Sequence, residues 1–144
     1  MGNIEAVKAK VQQYLFAVAD TVGIDKDGDF TIRNGSSRAF IWVNSKGEDD
    51  PTHVFIQVPL LYGVNESPAL HEYIAYHADD YIFGHLSLRK RDDGIVCVDL
   101  THRLLGDYLD EAELAWAVGG MLSSADELDD EMQSRFGGQR FHEE

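Results

Sequence analysis

The chain reads as an α+β domain: a twisted antiparallel sheet of about five strands with three helices, in the order α-β-β-β-α-β-β-α. Three observations carry this reading. Apolar residues recur at steps of three and four near both ends of the chain. Between them lie short runs of alternating apolar and polar residues. These runs are joined by tight turn signals, which favour antiparallel neighbours over crossover connections.

The first helix follows from Ile4, Val7, Val11, Leu15 and Val18, one apolar stripe that predicts a helix from about Asn3 to Asp20. Gly23 can take the left-handed conformation that ends it. Next, "DFTIR" and "SRAFIWVN" flank Asn34-Gly35, a strong hairpin signal. A two-residue turn there sets Arg33 against Ser36, Ile32 against Ser37, Phe30 against Ala39 and Asp29 against Phe40. One face of the hairpin then carries Phe30, Ile32, Ala39, Ile41 and Val43, and should meet the core. The other carries Thr31, Arg33, Arg38, Phe40 and Trp42. The third strand is "THVFIQVPLL"; with Val54, Ile56 and Val58 inward, Phe55 joins Phe40 and Trp42.

Ser67-Pro68 starts the second helix, a capping hydroxyl before a proline whose missing N–H costs nothing there; it runs to about Asp80. "IFGHLSLRK" and "GIVCVDL" are two further strands around the turn "RDDG". Asp110 caps the last helix, with Glu113 three residues on as in a capping box. Leu114, Val118, Met121, Ala125, Leu128 and Met132 form its stripe, and Gly137 can end it. The first and last helices should cover the face bearing Ile41 and Val98. One domain is expected over residues 1–138, with residues 139–144 a frayed tail.

The chain has 144 residues and a net charge of −14, from 26 acids against 12 bases. Such a surface repels phosphates, so neither nucleic acid nor an anionic membrane is expected as a partner. One cysteine, Cys97, excludes an internal disulfide and fits a reducing compartment. The N-terminal stretch lacks the basic-then-apolar layout of a signal peptide, and Ala6 stands where a myristoylation site wants Ser or Thr. The apolar run "VFIQVPLLYGV" is far too short for a membrane span of about 20 residues. A soluble cytoplasmic protein is expected.

Chemistry is sparse. In "DKDGD", Asp25, Asp27 and Asp29 alternate like calcium-loop ligands. Counting from Asp25, however, Phe30 stands where such a loop needs glycine and Ser36 where it needs glutamate. The stretch therefore reads as a turn at Asp27-Gly28. His71 and His77 are six apart on a helix and do not share a face. His53 and His85 lie on different strands and could meet, but no third ligand is evident. Cys97 has no activating cation beside it in sequence and reads as an inert thiol. Gly119-Gly120 lie inside the last helix and read as a site of close packing. No catalytic residue, metal or cofactor is expected. The one oddity is the aromatic outer face. Phe40, Trp42, Phe55 and Arg38 are the candidate partner or dimer surface, unless the middle helix or a loop covers them.

The chain resembles the YbjN-type domains, which share the fold of the type III secretion chaperones. The likeness spans about Ile4 to Gly138. It rests on "DKDGDF", "SRAFIWV", "VFIQVPLLYGV", "DDYIFGHLSL" and "SSADELDDEMQSRFGG". It implies a non-catalytic module, chaperone-like or regulatory, that binds a protein or peptide segment without cofactor, often as a dimer. The alternative is a small hydrolase or metal-dependent enzyme. Stoichiometric transition metal in the purified protein would favour that alternative.

Overall fold

Helix α1 spans Asn3–Leu15 and buries Val7, Val11 and Leu15, the stripe read from the sequence. It stops short of Asp20: Phe16, Ala17 and Val18 donate their N–H groups three residues back, tightening the last turn. The computed structural model describes residues 3–35 and 37–140. Strands follow as β1 (Gly23–Ile24), β2 (Phe30–Asn34), β3 (Ser37–Ser45) and β4 (Thr52–Tyr62). Then come α2 (Pro68–His77), β5 (His85–Lys90), β6 (Val96–Leu105), α3 (Glu111–Phe136) and β7 (Gln139–Arg140).

The strands form one antiparallel sheet in the order β1-β2-β3-β4-β6-β5, with β7 also paired to β4. Seven strands replace the expected five because two short pairings, β1 and β7, carry little hydrophobic pattern of their own. Gln139 and Arg140, expected to fray, pair with Tyr62 and Leu61. Gly137 and Gly138, at φ 75° and 80°, turn the chain back to reach β4. Residues 141–144 of the expected tail lie outside the described residues.

The β2–β3 register differs from expectation. Asn34 pairs with Ser37, Arg33 with Arg38, Ile32 with Ala39, Thr31 with Phe40 and Phe30 with Ile41. The turn a type I′ hairpin would place at Asn34-Gly35 needs a positive φ at Asn34. No described non-glycine residue has one, and Gly35 does, at 60°. Asn34 therefore ends β2, and Ser37 is held by its hydroxyl donating to Asp126 Oδ1 on α3 at 2.6 Å. Ser36 lies outside the described residues. The slip is two residues, so each side chain keeps its face. Phe30, Ile32, Ala39, Ile41 and Val43 are all buried, as read from the pattern.

Both caps form as expected. The Leu70 N–H donates to Ser67 Oγ at 3.2 Å, and the Glu113 N–H to Asp110 Oδ1 at 2.7 Å. Helices α1 and α3 pack on the sheet face bearing Ile41, Ile56 and Val98. Helix α2 joins that side. Leu70 enters the core, and the Tyr73 ring meets Phe136 edge-on at 5.4 Å.

The two helix glycines divide. A Cβ on Gly120 would lie 2.9 Å from Phe83 Cδ2, so Gly120 marks a close approach. A Cβ on Gly119 would meet nothing within 4 Å. Gly119→Ala should therefore stabilise by about 0.5–1 kcal/mol in denaturant titration. Gly120→Ala should show no such gain, because the Phe83 ring must move.

Candidate functional site

Side chains of β3 alternate strictly between core and outer face, which leaves Arg38, Phe40 and Trp42 on the outside, half-buried. On β4, Val54, Ile56 and Val58 are fully buried, so Phe55 and Gln57 face outward. Trp42 and Phe55 stand directly opposite each other in the register. Their rings stack at 5.2 Å and 4°. Cross-strand aromatic pairs of this kind add about 0.5–1.5 kcal/mol beyond their buried area. Arg103, opposite Phe55 on β6, lays its guanidinium over that ring at 4.5 Å. Trp42, Phe55 and Arg103 thus form one row across three strands. Arg38 lies over Phe40 at 5.9 Å, and its Nε is buried with no hydrogen-bond partner. The helices occupy the opposite side, so α2 does not lie over these rings.

Arg103 was not among the residues singled out from the sequence. The strand pattern "GIVCVDL" ends at Leu100, whereas β6 runs on to Leu105. The alternation of Val98, Leu100, His102 and Leu104 against Asp99, Thr101 and Arg103 was the available signal.

Beside this row lies a second group. The Asp99 side chain is 2% exposed and accepts from Arg89 Nε at 2.8 Å and Gln57 Nε2 at 3.1 Å. The bond to Asp99 pushes the Arg89 guanidinium to a higher pKa. Arg89 also pairs directly with Cys97 across β5 and β6. Cys97 is buried, and a cation does stand beside it; sequence distance had hidden this cross-strand neighbour.

In the acidic turn, carboxylate oxygens of Asp25, Asp27 and Asp29 lie within 4.8 Å of one another. Asp25 Oδ1 is already engaged, accepting the backbone N–H groups of Asp27 at 2.9 Å and Asp29 at 3.0 Å. Gly28 supplies the turn at φ 84°. The loop is thus a self-bonded turn. Burial and the charges of Asp25 and Asp27 raise the Asp29 pKa.

The histidines do not converge. His71 meets Glu66 at 2.9 Å, and His77 meets Asp80 at 2.7 Å. His53 pairs with Asn44 and Leu105, while His85 pairs with Thr101, so these two do not meet across the sheet. His102 has the informative environment. Its Nδ1 accepts the Gly84 N–H at 3.1 Å, and burial, then His85, lowers its pKa against an opposing pull from Glu113. A lowered histidine pKa means that the fold favours the neutral ring. That stability is complete above the unfolded value of about 6.5 and is lost as pH falls through the lower folded value. The melting temperature should therefore drop as pH falls below about 6.5, and should drop less in His102→Gln. Equal slopes for both proteins would refute the assignment.

A hollow of about 560 Å³ sits elsewhere, between the start of α1 and the loops before β4 and α3. Ile4, Pro51, Leu105 and Tyr108 give it apolar walls, and Asp49, Asp50 and Asp107 an acidic rim. Asp107 is tied down by Thr52 and Asn3, whose bonds lower its pKa together with nearby Lys10. Among the described residues no helix is long and apolar enough to cross a membrane.

No curated protein matches the chain. The model of one family does, over residues 4–144, nearly the whole length. Its description, a peptide-binding chaperone, agrees with the resemblance drawn from the sequence. An open antiparallel sheet with its helices on one side and aromatic rings on the other thus has its family: the chain belongs to the T3SS (YopN, CesT) and YbjN peptide-binding chaperone 1 family.

Proposed function

We propose that this chain is a non-catalytic peptide-binding module, chaperone-like or regulatory in role, that holds a protein segment on the outer face of its sheet. The observation that carries this is the stacked Trp42–Phe55 pair on the side of the sheet away from the helices. Large rings that are half-buried without being core residues can bury further area against a partner, and tryptophan is a frequent anchor of interfaces. Phe40 and Arg38 extend the surface along β3. Family membership supports peptide binding as the general activity. The contact residues, the absence of catalysis, a cytoplasmic location and possible self-pairing are our reading.

The test is a peptide-display selection on the intact protein, with the selected peptides then titrated against Trp42→Ala. Binding should weaken more than about fivefold, an interface loss above 1 kcal/mol. Because Trp42 is half-buried, the same change should cost only about 1–2 kcal/mol of stability, rather than the 3–5 kcal/mol of a core tryptophan. Selected peptides that bind Trp42→Ala as well as the parent would sink the assignment of this face. Light scattering across concentrations separates a peptide surface from a face that pairs with a second copy.

A further inference from the structure

The sheet is charged against the rest of the molecule. The chain holds 26 acids and 12 bases. Yet its seven strands contain one acid, Asp99, against six bases: Arg33, Arg38, Arg89, Lys90, Arg103 and Arg140. Asp99 is already spent on Arg89 and Gln57. On the outer face this leaves Arg33, Arg38 and Arg103, and among the described residues no carboxylate lies within 4.0 Å of any of their guanidinium groups. Arg33 and Arg38 moreover stand directly opposite each other in the register. Like charges so placed repel, and an anion beside them would relieve the repulsion.

Resting on the reading that this face binds a segment, we infer that the segment is acidic: an extended stretch of polypeptide whose carboxylates meet Arg33, Arg38 and Arg103 while its apolar side chains cover Phe40, Trp42 and Phe55. Arginine forks match carboxylates in paired hydrogen bonds. The surrounding negative surface makes selection sharper, because an acidic segment is repelled everywhere except here, and a basic one is drawn elsewhere. Single-stranded nucleic acid is the other anion that arginines and rings could hold. It would stack bases on open ring faces. Here Phe55 lies between Trp42 and Arg103, so its faces are occupied.

The experiment follows the fluorescence anisotropy of three dye-labelled peptides of one pattern, titrated with the full chain. The repeats are Glu-Phe-Glu-Leu, the same with Gln for Glu, and the same with Lys for Glu; oligothymidylate is the fourth probe. The Glu peptide should bind about tenfold more tightly than the Gln peptide at low salt, with the margin shrinking as salt rises. The Lys peptide should bind weakest. Arg33→Gln, an exposed position outside the stacked row, should narrow the Glu-over-Gln margin while Gln-peptide binding persists. A melting curve confirms that the variant is folded. Equal binding of the Glu and Gln peptides would overturn the acidic preference alone. Tightest binding by the Lys peptide, unaffected by Trp42→Ala, would place peptides in the acid-rimmed hollow and overturn both readings. Oligothymidylate binding above the Glu peptide would overturn the polypeptide assignment. No binding by any probe would refute the acidic preference together with the face itself.

Discussion

Ile41→Ala is expected to cost about 2–5 kcal/mol of stability, whereas Trp42→Ala, one residue on, costs less than half of that. Ile41 is fully buried, opposite Phe30 on one side and Ile56 on the other, under α1 and α3. Truncation there removes three carbons from a packed site flanked by strands whose backbones cannot close the gap. The loss is therefore the transfer term plus the cavity term. Its neighbour points the other way, is only partly buried, and loses one stacked ring. Urea titrations of both variants read the contrast directly. Similar losses would mean that the outer face is as tightly covered as the core, which would undo the proposed binding surface.

Arg89→Ala is expected to cost about 2–4 kcal/mol, a large effect for a residue with 44% of its side chain exposed. The cost arises on the partner. Asp99 is 2% exposed at its side chain, and without Arg89 its carboxylate stays in the sheet with only Gln57 donating to it. Gln57 and the open side of the pair keep the figure near the lower part of the range for a broken buried ion pair. Replacing both charges, as Arg89→Met with Asp99→Leu, should recover most of the loss, since neither charge is then stranded. A double variant as unstable as the single one would show that Arg89 stabilises through packing of its stem instead.

The helices and the two faces of the sheet were legible because they rest on periodicity. Six apolar residues at steps of three and four define α3, and all six are buried. Parity along β3 survived a wrong register, since a slip of two residues leaves every side chain on its own face. What was not legible depends on neighbours distant in sequence. The turn moved by one position because Asp126, 89 residues from Ser37, holds the start of β3. Arg103 and the Arg89–Asp99 pair acquire meaning only once β4, β5 and β6 lie side by side. Strand β7 has two residues and no pattern; it exists because Gly137 and Gly138 return the chain to β4.

Helix α3 is the longest element, 26 residues, or about 39 Å at 1.5 Å per residue. It reaches the β2–β3 hairpin through Asp126, Phe83 through Gly120, and α2 through Phe136. Among the three described helices it is synthesised last. Until it is made, a nascent chain bears Ile41, Ile56, Val58 and Leu100 on a sheet that only α1 and α2 can shield. The core therefore cannot close until residue 136 has been made, and during that interval the domain is itself a chain with uncovered apolar surface.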